Sequence, residues 1–251
     1  MLTLQDSIVI FRTELGASLR NRIGIAIGLV QPFVYLALFG PLLVKALPGA
    51  AGNEAWKIYI PGLLVQCGLF ATGYAGFNLI PDMRSGVLER MRVTPVSRLA
   101  LLLGRVMRDC VLLLIQATIL IIAGFAFGLR ASAVGIVVGL LLVVVLGISL
   151  AALSYTLAMK LPTEYLFAPV LNSIALPLML LSGILLPLSF APTWLRYVAD
   201  VNPFHYVVDA MRALYLGQFG TRAALVGVAV AVGLAVVSTL FGTRTFTRYN
   251  A

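Results

Sequence analysis

The chain has 251 residues, of which 61% are apolar and only 11% are charged, and its formal net charge is +9. An average soluble domain is about half apolar and about a quarter charged, so this composition excludes a soluble globular protein. The apolar excess must face lipid, and we therefore predict an integral membrane protein whose basic excess sets its topology rather than binding nucleic acid.

The N-terminal segment, residues 1–22, predicts an amphipathic helix that lies on the inner membrane surface. The apolar residues at helical spacing are Leu4, Ile8, Phe11, Leu15 and Leu19. The polar residues elsewhere on the helix are Gln5, Asp6, Arg12, Thr13 and Arg20. The alternative interpretation is an extension that faces water. The segment carries several charges and the first apolar run has no small-residue cleavage site behind it, so we do not predict a removable signal peptide.

Six apolar stretches are long enough to cross a bilayer, and they predict an all-α fold. They are 23–44, 58–80, 110–129, 134–158, 165–188 and 223–241. With both termini inside, the internal segments carry twelve Lys and Arg residues and the external segments carry six. The positive-inside rule therefore predicts cytoplasmic termini, with an interfacial helix over 1–22 and one six-span domain over 23–251.

The cytoplasmic loop 81–109 is one of two connections long enough to hold structure of its own. A helix is predicted to begin at Asp82 and to break at Thr94-Pro95. A new helix, capped by Ser97, is predicted to run through Arg98, Arg105 and Arg108 into the third span. An apolar stripe and its flanking charges share the first helix: Met83, Val87, Leu88 and Met91 with Arg84, Glu89, Arg90 and Arg92. We interpret this loop as a docking element, and the alternative is that its arginines only fix topology and contact lipid phosphates.

The external segment 189–222 is the second long connection. Asn202-Pro203 supply a cap and a first-turn proline for a helix that stops near Gly217. On this helix His205, Asp209 and Arg212 share a face at spacings of four and three. A catalytic role for them needs a nucleophile, and no pattern in the sequence indicates one, so we predict a local polar network.

Several kinds of chemistry lack their sequence patterns. There is no phosphate-binding Gly-x-x-x-x-Gly-Lys-Ser/Thr loop, so any energy from ATP must come from another chain. The predicted spans contain no ionisable side chain, which disfavours an ion-driven carrier. His205 is the only histidine, and Cys67 and Cys110 lie at or within apolar segments, so we predict neither a metal site nor a disulfide.

Two motifs resemble those of type-2 ATP-binding-cassette (ABC) exporter permeases, especially the daunorubicin-resistance branch. The first begins Leu88-Glu-Arg-Met-Arg-Val-Thr-Pro-Val-Ser-Arg98 and continues to Asp109. The second is Leu181-Ser-Gly-Ile-Leu-Leu-Pro-Leu188, followed by Asn202-Pro-Phe-His-Tyr206 and then Arg212. The motifs lie at the ends of the second and fifth spans, and the six-span plan covers essentially the whole chain.

The resemblance implies a transmembrane subunit that pairs with a second permease chain, identical or related, and binds two copies of a separate ATPase. ATP and Mg would be held by that ATPase, and this chain would hold no cofactor. Segment 82–92 would be the coupling helix in a cleft of the ATPase, braced by the N-terminal helix, and 202–216 would be a re-entrant external helix. The implied coupling residues are Met83, Arg84, Val87, Glu89, Arg90, Met91, Arg92, Pro95 and Arg98, and those of the external helix are Asn202, Pro203, His205, Asp209 and Arg212.

In this family the second and fifth spans of two subunits face each other and line the substrate path. The polar candidates there are Gln66, Thr72, Asn78, Asn172, Ser173 and Ser182. Alternatively, each of them bonds within its own helix bundle.

We therefore predict a permease subunit, and not an enzyme, that moves an amphiphilic drug-like or lipid-like compound outward across a bacterial cytoplasmic membrane. The sequence lacks the Glu-Ala-Ala-x-x-x-Gly loop of importers, which favours export. The alternatives are a lipid-linked glycan exporter and an ATP-independent channel or scramblase. An intramembrane hydrolase ranks behind these because His-Glu-x-x-His and Gly-x-Ser-x-Gly do not occur.

Overall fold

The computed structural model describes residues 2–46, 53–84, 98–161, 163–185, 188 and 191–248, and these residues form helices joined by short connections. The helices are α1 (Leu2–Arg20), α2 (Arg22–Ala46), α3 (Asn53–Ala71), a 3₁₀ turn (Ala75–Asn78), α4 (Leu79–Arg84), α5 (Arg98–Ala126), α6 (Ala133–Lys160), α7 (Glu164–Leu181), α8 (Thr193–Asp200), α9 (Pro203–Tyr215) and α10 (Arg222–Arg248). No strand occurs in these described ranges.

Within the described residues, six helical segments are long and apolar enough to cross a membrane. They are Ile23–Lys45, Asn53–Pro81, Ala100–Ala126, Ala133–Lys160, Glu164–Leu181 and Arg222–Thr245. The prediction of an all-helical protein with six spans is therefore confirmed. The placement of α1 on the membrane surface and of α8 and α9 as re-entrant helices stays a prediction.

The helices differ in burial, and α3 is the central one. It is buried over most of its length and packs against α2, α5, α6 and α9. By contrast α2, α7 and α10 expose large apolar side chains, among them Val30, Leu180 and Val237. Such faces are suited to contact with acyl chains rather than water.

The second span is not the continuous helix that 58–80 predicts. Helix α3 ends at Ala71, and a turn leads into the 3₁₀ segment and α4. Ser154 of α6 lies against this break: its hydroxyl accepts a bond from the Gly76 amide at 2.8 Å and donates to the Gly73 carbonyl. A Cβ atom at Gly76 would collide with the Ser154 carbonyl oxygen, so glycine permits the close approach. The inserted side chain explains the break.

The helix of the third span is continuous from Arg98, which confirms the predicted helix that resumes at Ser97 and runs through Arg105 and Arg108 into that span; the apolar stretch predicted from residue 110 is its later part. Helix α1 packs along α5. Gly104 makes the contact close, since a Cβ atom there would lie 2.8 Å from Ile10 Cγ2. The packed face of α1 includes the buried Ser7, whereas Ile8 and Leu19 of the predicted apolar stripe are 42% and 43% exposed. Part of the stripe therefore faces away from the protein.

Segment 189–222, predicted to be external, contains α8 and α9, and its second helix is capped as the sequence predicts. The Asn202 side chain accepts a hydrogen bond from the Phe204 amide at 3.0 Å, and the chain reverses at Gly217 with a φ of +80°. Val208 and Met211 are fully buried, because α9 packs between α3, α6 and α10. Helix α9 is therefore part of the hydrophobic core, whereas Trp194 and Tyr197 of α8 are exposed.

Candidate functional site

A partly open cavity of about 790 Å³ lies between α2, α3, α5 and α7. It extends from Asn21, at the junction of α1 and α2, to Gln66 in α3. Its apolar wall includes Ile25, Phe70 and Leu176. The volume falls in the range of small-molecule pockets, about 300 to 1,000 Å³. We therefore take this cavity as the candidate site.

The polar lining of the cavity consists mostly of side-chain amides. They are Asn21, Gln31, Gln66, Asn78, Gln116 and Asn172. Asn172 accepts a hydrogen bond from Tyr74 Oη at 2.8 Å, and the Cys67 thiol lies 3.5 Å from Gln116 Oε1. Gln66 is only 1% exposed, and within the described residues neither its Oε1 nor its Nε2 has a hydrogen-bond partner. Among the amides of the lining, Gln66 is therefore a buried one whose donor and acceptor both lack a partner in the described part of the chain.

The predicted path residues fall into two groups. Gln66, Asn78 and Asn172 line the cavity. The hydroxyls of Thr72, Ser173 and Ser182 each donate to a backbone carbonyl three or four residues earlier, at 2.6, 2.8 and 2.7 Å. The structure thus brings three of the six together in one cavity, whereas the others have the local bonds that the alternative interpretation expects.

A cluster of buried charged groups, which we call the charged cluster, joins α1, α5 and α6 beside the cavity. It consists of Glu14, Arg105, Arg108, Asp109 and Tyr155. Arg108 lies 2.7 Å from the Glu14 carboxylate and 2.8 Å from that of Asp109, and Arg105 Nε lies 3.4 Å from Glu14. The Tyr155 hydroxyl donates to Asp109 and lies 3.2 Å from Arg108. The two acids therefore balance the two arginines.

The charged cluster was not predicted as a unit. Arg105, Arg108 and Asp109 have spacings of three and four, so the sequence does indicate that they share a helix face. Nothing in the sequence pairs them with Glu14, which lies 94 residues before Arg108. Tyr155 lies inside an apolar span, where its side chain resembles any other aromatic residue of a helix bundle.

One face of α9 brings together the predicted His205, Asp209 and Arg212. Asp209 lies 3.6 Å from His205 Nε2 and 3.6 Å from a terminal nitrogen of Arg212. Arg212 also donates to the carbonyls of Ile58, at 3.1 Å, and Gly183, at 2.6 Å. Burial lowers the pKa of Arg212, and the Asp209 carboxylate acts in the opposite direction. Arg212 thus ties α9 to α3 and to the turn after α7.

The predicted coupling residues are largely beyond the described structure. Met83 and Arg84 lie on the described backbone of α4, and Arg98 lies at the first position of α5, but their side chains are not described. Val87, Glu89, Arg90, Met91, Arg92 and Pro95 lie outside the described residues. Their role in coupling stays a prediction.

Comparison with known proteins identifies similar chains. Residues 6–216 match the family described as ABC-2 type transporter. The chain is 30% identical over 200 residues to the transport permease ycf38 of Cyanophora paradoxa, covering 78% of this chain and 69% of that protein. It is 25% identical over 224 residues to the daunorubicin resistance ABC transporter permease protein DrrB1 of Streptomyces coeruleorubidus, covering 88% and 79%. It is 22% identical over 201 residues to the doxorubicin resistance ABC transporter permease protein DrrC of Mycobacterium tuberculosis, covering 79% and 72%.

Proposed function

This chain belongs to the ABC-2 type transporter family, and from that premise we propose that it is the permease subunit of an exporter that moves amphiphilic, drug-like or lipid-like compounds outward. The single observation that supports this function best is the cavity of about 790 Å³ between α2, α3, α5 and α7. Its lining combines apolar side chains with six amides, and that mixture suits a molecule with an apolar body and a polar group.

The energy for transport would come from a separate ATPase. The sequence contains no phosphate-binding loop, so ATP and Mg would be bound and hydrolysed on two copies of that partner. A second permease chain, identical or related, would complete the exporter. Segment 82–92 would contact the ATPase, and α1 would brace the adjoining part of α5 through Glu14, which lies against Arg105 and Arg108.

Transport by the reconstituted complex tests this function. The chain is purified with the ATPase that accompanies it, reconstituted into liposomes, and assayed with daunorubicin, a fluorescent compound named in the description of one relative. We expect transport that requires ATP and stops when ATP is replaced by a non-hydrolysable analogue. Transport at the same rate without ATP would contradict the proposal and favour a channel or scramblase.

Coupling can be tested at the cytoplasmic loop. Reversing the charges of Glu89 and Arg92 together with Met91→Asp should place an unpaired charge in the cleft of the ATPase, which would typically cost several kcal/mol. We expect the ATPase to be lost during purification, or its stimulated turnover to collapse, while the subunit still inserts into the membrane. Val201→Asp, at an exposed position beyond α8, is the control and should change neither the co-purification of the ATPase nor its stimulated turnover. Normal assembly and turnover in the loop variant would remove this loop from the mechanism.

The proposed orientation places both termini in the cytoplasm of a bacterial cell, with the membrane crossed six times. Reporters fused after Asn250 or inserted at residue 90 should be cytoplasmic, and a reporter near Gly52 should be external, because basic residues are distributed twelve to six. If the reporter at residue 90 proved to be external, the proposed topology would be wrong.

A further inference from the structure

We propose that Gln66 is the recognition residue of the cavity and that its ligand is an amphiphile with an uncharged polar group that both donates and accepts hydrogen bonds. Hydroxyketones and hydroxyl-bearing glycerides have this chemistry. The inference rests on the proposed function, because it names the substrate class for the same cavity.

The Gln66 amide has no described role in holding the bundle together. It lies on α3 beside Leu64, Val65 and Cys67, which are 0 to 3% exposed. Its donor and its acceptor both lack a partner among the described residues, and a buried polar group without a partner destabilises a folded protein. An apolar side chain would pack there at lower cost, so the amide is explained by a partner that arrives through the cavity.

The charges around the cavity are already paired, so the ligand needs no charge of its own. Arg108 and Asp109 are the charged members of the cavity lining, and they bond to each other. Arg108 also binds Glu14, and Asp109 also accepts from Tyr155. The other polar groups of the lining are neutral, so a fully charged group beside Gln66 would be desolvated without a counter-ion.

The apolar wall of the cavity indicates that the rest of the ligand is apolar. Phe70 of α3, Leu112 of α5 and Leu176 of α7 line the same cavity as Gln66, and Ile25 and Pro32 of α2 complete it. A ligand that places its hydroxyl and carbonyl groups at Gln66 would therefore lay an aromatic or acyl body against these side chains. This arrangement gives a polar end and an apolar end within one site.

Binding to the full chain in lipid nanodiscs tests the proposal without an ATPase. The uncharged probes are 1,4-dihydroxyanthraquinone, followed by its fluorescence, and 1-oleoylglycerol as its competitor; the charged counterparts are anthraquinone-2-sulfonate and oleate. Empty nanodiscs give the background from partition into lipid. We expect 1,4-dihydroxyanthraquinone to bind at least tenfold more tightly than anthraquinone-2-sulfonate, and oleate not to displace it. Displacement of the dye by 1-oleoylglycerol would indicate that the natural ligand is lipid-like. Failure of 1-oleoylglycerol to displace the dye would indicate a drug-like ligand.

The decisive variant is Gln66→Met, which keeps the length of the side chain and removes the amide. Loss of one hydrogen bond corresponds to about a tenfold change in affinity, so 1,4-dihydroxyanthraquinone should bind at least tenfold more weakly. Thr156→Val is the matched control. The buried Thr156 hydroxyl donates to the Ala152 carbonyl of its own helix at 2.8 Å, away from the cavity. The affinity of this variant for 1,4-dihydroxyanthraquinone should stay within twofold of that of the unaltered chain.

Thermal stability separates recognition from a structural role. Removing an amide without a partner should leave the melting temperature of the Gln66→Met variant unchanged or higher, whereas loss of a structural amide would lower it. Unchanged affinity in this variant, a lowered melting temperature, or equal binding of the charged probes would overturn the inference. Transport that fails while Gln66-dependent binding is intact would instead count against the proposed exporter alone.

Discussion

Replacing Asp109 by leucine should be among the most destabilising single substitutions in the described part of the chain. Asp109 is 7% exposed and accepts hydrogen bonds from Arg108, at 2.8 and 3.0 Å, and from the Tyr155 hydroxyl. Its loss leaves the charged cluster with two arginines and one carboxylate. Breaking a buried ion pair by removing one partner costs about 3 to 5 kcal/mol, because the other charge stays buried without compensation.

The cost can be assigned to charge by a double-mutant cycle. Arg108→Met alone leaves two carboxylates, Glu14 and Asp109, beside the single Arg105, so it should also destabilise the protein by several kcal/mol. The double variant Asp109→Leu with Arg108→Met leaves only Glu14 and Arg105, which balance each other. We therefore expect the double variant to be destabilised by clearly less than the sum of the single effects, with a coupling of at least about 1.5 kcal/mol.

The measurement is the melting temperature of the purified chain in detergent, followed by the fluorescence of Trp56 and Trp194. For a chain of this size 1 kcal/mol corresponds to roughly 2 to 4 °C, so the Asp109→Leu variant should melt about 6 to 20 °C lower. Asp200→Leu, at an exposed acid, is the control and should change the melting temperature by no more than about 2 °C. Strictly additive single effects, or a shift of less than 2 °C for Asp109→Leu, would refute the charge-balance argument.

Two further predictions use the same melting assay. Gly62→Ala should destabilise the chain by about 1 to 3 kcal/mol, because the added Cβ atom would lie 2.5 Å from the Ile184 carbonyl oxygen. The control is Gly233→Ala on α10, where no atom lies within 4 Å of the added Cβ, and it should be neutral or stabilising. Equal effects of the two substitutions would contradict the close-packing argument. Arg212→Leu should destabilise the chain by about 2 to 3 kcal/mol, because two backbone carbonyls lose a charged hydrogen-bond donor. His205→Ala on the same helix should destabilise it by less than about 1 kcal/mol. The reverse order would show that His205, and not Arg212, holds α9 to its neighbours.

The number and order of the membrane-spanning helices could be predicted from sequence because each depends on about twenty consecutive apolar residues. The cap at Asn202 and the stop at Gly217 were also predictable, because each depends on neighbouring residues alone. The break after Ala71 was not, because it depends on Ser154, which lies 78 residues after Gly76. Local patterns determine where helices form, whereas contacts between distant segments determine where they bend.

The start of the third span shows the same limit for charge. A hydropathy criterion begins that span at residue 110, because Arg105, Arg108 and Asp109 precede it. The helix itself was predicted to run through these residues from Ser97, and α5 does so. The sequence does not show that Glu14 on α1 and the acid beside Arg108 supply the opposite charges. The sequence shows the cost of burying each charge, but the compensation becomes visible only when α1 packs on α5.

Among the cavity residues, sequence alone could nominate Gln66, Asn78 and Asn172 together with Thr72, Ser173 and Ser182, but it could not separate the two groups. A hydroxyl can bond to the carbonyl three or four residues earlier on its own helix, so Thr72, Ser173 and Ser182 need no other partner. The glutamine at position 66 lies in the cavity lining, and among the described residues its amide has no such bond. The distinction therefore requires the positions of the neighbouring helices.

The buried polar groups of the cavity wall differ in whether the protein itself supplies their partners. Arg108 and Asp109 have their charges matched within the protein, so they stabilise the contact between α1 and α5 and present no unbalanced charge to a ligand. Gln66 has no hydrogen-bond partner among the described residues, so it makes the empty protein less stable, and on our proposal it would gain partners when the cavity is filled. A substrate that satisfies Gln66 should therefore raise the melting temperature of the unaltered chain but not that of the Gln66→Met variant. Substrate binding would then be coupled to the stability of the packing around α3, the helix that contacts α2, α5, α6 and α9.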